Sequence, residues 1–129
     1  MNESTDGRVE VIEKRRFLRL NDYFRVSFRS LDRQISLTGP APEGVGWSKN
    51  LSVGGVCFVA DGPAQAGEQL SARIEIPEIP EGGILVVGEV VRCREVRPGR
   101  YELALRFLPT GADERTREQL ELFIYKHFF

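Results

Sequence analysis

The sequence predicts a mainly β fold, a small six-stranded antiparallel β-barrel carrying one C-terminal α-helix. Three observations lead there. Stretches between Tyr23 and Phe107 alternate apolar and polar residues with period two, as half-buried strands do. Gly, Pro and Asp clusters punctuate them at short spacing. A single stripe of helical period lies near the C-terminus. Six or so short strands would leave exposed sheet edges, and closure into a barrel removes them. At 129 residues the chain is the size of one domain, long enough to bury roughly two-thirds of its surface without help from metals or disulfides.

Residues 1–13 read as a polar, acidic arm, mobile and able to dock through Val9, Val11 and Ile12; residues 14–129 read as the barrel domain. The cluster Lys14-Arg15-Arg16-Phe17-Leu18-Arg19-Leu20 leads into a strand, Tyr23 to Arg29. Its alternation sends Phe24, Val26 and Phe28 to the core and Tyr23, Arg25, Ser27 and Arg29 outward. A short strand is expected over 34–38, then a structureless loop from Gly39 to Gly44, where glycine and proline alternate with other residues. Trp47 to Ser52 is a strand ending at Gly54-Gly55, and Val56 to Ala60 is the next, broken by Asp61-Gly62-Pro63. Leu70, Ala72, Ile74 and Ile76 alternate with Ser71, Arg73 and Glu75 until Pro77 and Pro80 stop the strand. Ile84 to Val96 and Tyr101 to Phe107 form a hairpin about Arg97-Pro98-Gly99-Arg100. The helix covers about 111–127, with Asp113 and Glu114 at its positive end and a Leu120, Phe123, Ile124, His127 stripe. It either closes a mouth of the barrel or packs on its side.

The charges nearly cancel, 18 basic against 19 acidic, for a net of −1, but they are not evenly spread. Lys14 to Arg33 holds seven basic residues and two acidic ones, a local +5, which leaves −6 for the remainder. A compact anion of few charges suits this layout better than long nucleic acid. Arginine outnumbers lysine 15 to 3, which favours planar, bidentate recognition. Cys57 and Cys93 lie far apart in apolar stretches with no C-x-x-C pattern, so reduced, buried thiols in a cytoplasmic protein are expected. No apolar run approaches the length of a membrane span and the polar start is not a targeting peptide.

Catalysis has little material. The one histidine, His127, sits where a helix-end cation is the ordinary role. Without it no Ser-His-Asp or Cys-His set can be assembled, Cys/His zinc sites are excluded by count, and Lys49 and Lys126 fall in no recognisable motif. Glu75 and Glu78, bounded by prolines, read as solvated charge. Neither phosphate-binding glycine pattern occurs. The sequence therefore points to a binding protein, not an enzyme, needing no cofactor.

Two motifs remain. Arg15-x-x-x-Arg19 is common by itself: with this many arginines chance alone gives about 1.7 such matches. Asn50-Leu51-Ser52-Val53-Gly54-Gly55 matches Asn/Asp-x-Ser-x-x-Gly, for which chance gives about 0.04. Read alone, it is also what a capped strand end and glycine turn look like. Together, in this order and on this scaffold, they resemble the PilZ family of cyclic di-GMP receptor domains across about residues 13–127. Val56-Cys57-Phe58, Gly67-Glu68-Gln69-Leu70, Gly88-Glu89-Val90-Val91-Arg92 and Glu102 to Phe107 also fall where that family places similar residues.

The resemblance implies a split six-stranded barrel that binds cyclic di-GMP, a compact dianion with two guanines. A guanidinium pairs bidentately with phosphate oxygens or guanine O6 and N7 and stacks on a purine. By resemblance Arg15 and Arg19 fill those roles, beside Arg16 and Lys14. Asn50 and Ser52 would hydrogen-bond a guanine, while Gly55, with Gly54, would permit positive φ and a close approach of ligand to backbone. By the resemblance, the position before the arginine motif bears on whether one ligand or a stacked pair binds; here it is Lys14, which lacks arginine's flat face, so one ligand per chain is expected. A self-repelling Lys14–Arg19 segment should fold over the ligand and so signal. With no output domain in the sequence, a partner chain or self-association as a weak homodimer would carry motility, biofilm or polysaccharide output. Two other readings stand beside it: the same barrel as a protein-interaction module that binds no nucleotide, and a small OB-like or SH3-like barrel that binds single-stranded nucleic acid through the Tyr23, Arg25, Arg29 face. The latter usually needs several exposed aromatics, and the alternation offers only Tyr23.

Overall fold

A computed structural model of the chain describes residues 9–10, 19–20, 23–31 and 43–128. The elements are β1 (Val9–Glu10), β2 (Arg19–Leu20), β3 (Arg25–Ser30), β4 (Glu43–Leu51), β5 (Gly55–Ala60), β6 (Gln69–Glu75), β7 (Gly83–Arg97), β8 (Arg100–Phe107) and α1 (Glu114–Phe128). Each of the six longer strands pairs antiparallel with two others, in the ring β3-β4-β5-β8-β7-β6 and back to β3. This is the closed six-stranded barrel the alternation predicts. The two-residue strands β1 and β2 pair with each other and extend the sheet from the end of β4, through Leu20 opposite Leu51.

The inward residues are those of the predicted pattern. Phe24, Val26 and Phe28 are buried, as are Val56, Phe58 and Ala60, and Leu70, Ala72, Ile74 and Ile76. Phe28 and Phe58 meet across the core with ring centres 5.7 Å apart. Outward, Tyr23 is 75% exposed, whereas Arg25 is half-buried and paired with Glu75 at 2.6 Å. Glu75 is thus not merely solvated, and the positive charge of Arg25 is answered locally. Of the thiols, Cys57 is buried but Cys93 only half so, and both are free.

The Gly39–Gly44 expectation needs correction. Strand β4 begins at Glu43, so Gly44 lies inside it. Glycine acts here by close approach and does not break the strand: a Cβ on Gly44 would lie 2.7 Å from the Phe28 ring, and one on Gly46 2.0 Å from the Val59 carbonyl oxygen. The short strand expected over 34–38, residues 39–42 of that loop, Lys14–Leu18 and the rest of the arm lie outside the described residues; within the arm, Val9–Glu10 form β1 and pair with β2.

Helix α1 starts at Glu114, later than expected, because Asp113 is its cap: the Asp113 carboxylate accepts the Thr116 N–H at 2.7 Å. Leu120, Phe123 and Ile124 are buried, and Phe123 meets Phe24 edge-on at 5.6 Å. Arg115 reaches Glu81 at 3.4 Å and His127 approaches Glu78 to 3.9 Å. The helix therefore closes the mouth at which β3 begins and β6 turns into β7. His127 packs on the Phe123 ring at 4.4 Å, its Nδ1 3.0 Å from the Phe123 carbonyl oxygen. Among the described residues no helix is long and apolar enough to cross a membrane.

Candidate functional site

The Asn50–Gly55 segment is the turn from β4 into β5, and two local features shape it. The first is a bulge in β4. Ser48 opposes Phe58 and Asn50 opposes Cys57, so Lys49 is an extra residue in the β4 strand. Ser48 faces inward, fully buried, and its hydroxyl takes the Phe24 N–H at 2.8 Å. Directly opposed residues share a face, and Cys57 alternates with the core residues Val56 and Phe58, so Asn50 stands on the outer face. Leu51, opposite Val56, returns to the core.

The second feature is the turn itself. The Ser52 N–H donates to the Gly55 carbonyl at 2.9 Å, the Gly54 N–H donates to the Ser52 hydroxyl at 3.1 Å, and that hydroxyl lies 3.4 Å from the Gly55 carbonyl. Ser52 thus holds the turn, with a lone pair left over on its oxygen. Gly55 does not have the positive φ expected of it; its φ is ordinary for any residue, and its need is space. A Cβ there would sit 2.3 Å from the Leu105 carbonyl oxygen of β8. The glycine lets two strands approach closely.

Beside Asn50 lies a charge cluster that the sequence reading passed over. Glu102 of β8 is 4% exposed although it belongs to the outer face, covered by the side chains around it. Lys49 Nζ is 2.7 Å from its carboxylate, Arg94 of β7 binds the other oxygen, and the Cys57 thiol donates to it at 3.5 Å. The hydrogen bonds from Lys49 and Arg94 hold the Glu102 carboxyl down from an ordinary 4.5 to about 2, and the same carboxylate raises Lys49. Burial pushes the Cys57 thiol up, which keeps it protonated and poorly nucleophilic. One carboxylate against two cations leaves the cluster at +1. Arg106, opposite Gly55, also lies near the turn, its charge answered by Glu89 at 2.5 Å. The recoverable signal was Lys49 directly before the Asn50 motif; the partners come from strands distant in sequence.

Of the residues the motifs nominate, Asn50, Ser52, Gly54 and Gly55 are brought together in one half-buried turn. Arg19 lies in β2, whose next residue Leu20 pairs with Leu51, one position before Ser52. Lys14, Arg15 and Arg16 lie outside the described residues. The barrel end closed by α1 therefore also gathers β2 and the Asn50–Gly55 turn. Trp47, outward on β4 opposite Arg25, is 56% exposed. Tyr23 is therefore not the lone exposed aromatic near this end.

The PilZ domain family model matches residues 13–126. No curated protein matches the chain. Among solved structures, the Bacillus subtilis inhibitor of motility MotI/DgrA is 22% identical, with a TM-score of 0.68 over 90% of this chain and 52% of that one. The PilZ domain of YcgR from Escherichia coli with c-di-GMP is 15% identical, with a TM-score of 0.62 over 88% of this chain and 91% of that one. The K. pneumonia MrkH–c-di-GMP complex is 15% identical, with a TM-score of 0.65 over 91% and 52%. The chain thus spans about half the length of MotI and of MrkH. At these identities the structures establish a common barrel, and the family match over most of the sequence establishes more: the chain belongs to the PilZ domain family.

Proposed function

We propose that the protein is a receptor for cyclic di-GMP, bound at the barrel end where β2 runs beside the Asn50–Gly55 turn. That juxtaposition, Leu20 opposite Leu51, is the observation that carries the reading, because it brings β2, which holds Arg19, to the Asn50–Gly55 turn. Family membership supports it, as do similarly folded domains whose structures contain the dinucleotide. In this reading Arg15 and Arg19, with Arg16 and Lys14, supply guanidinium and ammonium donors to phosphate and guanine O6 and N7. Asn50 presents its amide on the outer face and Ser52 offers its remaining lone pair. Gly55 keeps the turn flat against β8. Closure of the arm changes its angle to the barrel, and that change is the output read by a partner chain.

The reading is of binding without catalysis, in the cytoplasm, with one ligand per chain and no cofactor. Competition tests it. Unlabelled cyclic di-GMP should displace a fluorescent analogue, a short single-stranded oligonucleotide should not, and raising salt from 50 to 200 mM should weaken binding by less than about tenfold, well short of a polyanion's loss. Equal displacement by the oligonucleotide would establish the nucleic-acid reading instead. No binding at tens of micromolar would leave the protein-interaction module.

A further inference from the structure

The β7–β8 hairpin runs past the end of β6. Strand β6 pairs with β7 only from Gly83 to Glu89, and the loop before β6 covers one residue more, bonding both backbone groups of Val90 through Gly67 and Glu68. From Val91 to Arg97, β7 has β8 on one side and, among the described residues, no strand on the other. This is an open sheet edge.

The edge carries a particular set of side chains. Val91 and Val96 are the extra residues of two irregularities in the ladder with β8, and they are 52% and 42% exposed. Arg92, Arg94, Arg97 and Arg100 stand on the same hairpin, and Glu95 is the one acid from Val91 to Tyr101, a local charge of +3. Arg94 is held by Glu102. Arg92, Arg97 and Arg100 form no ion pair among the described residues. Arg97 and Arg100 also oppose one another directly, a like-charge pair that costs stability. Exposed valines and opposed, unanswered arginines do not help the isolated domain, but they would match a surface of complementary charge.

We infer that residues 91–100 are a docking surface for an extended acidic segment of a partner protein, laid along the open edge of β7 with carboxylates on Arg92, Arg97 and Arg100 and apolar side chains on Val91 and Val96. Nucleic acid fits less well. Tyr101, the one aromatic from Val91 to Tyr101, is half-buried, so base stacking has no platform, and the chain beyond the two basic stretches is strongly acidic. The surface stands whether or not the protein binds a nucleotide. Arg94 nonetheless joins it, through Glu102, to Lys49, the residue before Asn50.

The test is a titration of the full-length, isotopically labelled protein, followed by backbone amide NMR and hydrogen exchange. The probes are a Glu-rich peptide containing two valines, its Lys-rich counterpart, and a short single-stranded DNA. The Glu-rich peptide should shift and protect the amides of 91–97, and the double variant Arg97→Glu/Arg100→Glu should weaken it about tenfold or more while leaving the barrel's other resonances in place. No response at 91–100, an equal response to the Lys-rich peptide, tighter binding of DNA at the same amides, or undiminished binding by the double variant would overturn the inference. None of these outcomes depends on cyclic di-GMP, so the two proposals fail separately.

Discussion

Glu102 carries the largest resolved electrostatic burden of any single residue in the barrel. Its carboxyl is held near 2 by Lys49 and Arg94, so it is ionised in the folded chain at pH values where an unfolded Glu is taking up a proton. A group whose folded pKa lies below its unfolded value stabilises fully above the unfolded value and loses that contribution as pH falls through the folded one. The window here runs from about 4.5 down to about 2, and the contribution is on the order of 2 kcal/mol. Urea denaturation at pH 7, 4 and 3 should show the wild type losing stability across that window and Glu102→Gln losing less. Parallel losses in both would show that the carboxylate is not what holds these strands. This site was not legible in the sequence. Lys49 stood in no motif, Glu102 looked like an outward strand residue, and Arg94 lay on a third strand; only closure of the barrel puts them within bonding distance.

At the scale of elements, the strand pattern and the C-terminal helix were readable because burial imposes period two and period 3.6 directly on the residue order. What could not be read was why particular glycines are there. Gly44 looks like part of a loop and proves to be inside β4; Gly55 looks like a position for positive φ and proves to be a contact between β5 and the Leu105 carbonyl. Local chemistry is the same in both roles, and the neighbouring strand decides between them. Gly55→Ala should therefore destabilise the whole barrel, by about 1–3 kcal/mol in thermal or urea melts, because the atom it meets is backbone and not a yielding side chain. A melt unchanged from wild type would mean that β5 and β8 can part at no cost. The basic stretch of the β7–β8 hairpin is a second omission at this scale: averaged into an acidic remainder, the four arginines from Arg92 to Arg100 disappeared from the charge arithmetic.

For the molecule as a whole, one end of the barrel gathers the C-terminal helix, β2 and the Asn50–Gly55 turn, while the open β7–β8 edge stands at the other. Helix α1 shuts that mouth with Phe123 against Phe24. Strand β2 joins the rim at Leu51, and the Asn50–Gly55 turn lies beside it with the Lys49–Glu102–Arg94 bridge behind. The Asn50 half of the proposed site was legible because its spacing is rare by chance; its orientation was not, because a bulge at Lys49 sets the face on which Asn50 stands. Near-neutral net charge conceals two basic stretches, one expected to take a compact dianion and one inferred to take an acidic chain. The proposed receptor role depends on the arginines of the first. Calorimetric titration of cyclic di-GMP into wild type, Arg15→Ala and Arg19→Ala is the most direct measurement. Saturable binding at one ligand per chain is expected for the wild type, weakened about tenfold or more in each variant, as the loss of charge-assisted bonds worth roughly 1.5 to 3 kcal/mol requires. Equal affinities in all three proteins would contradict the proposed site.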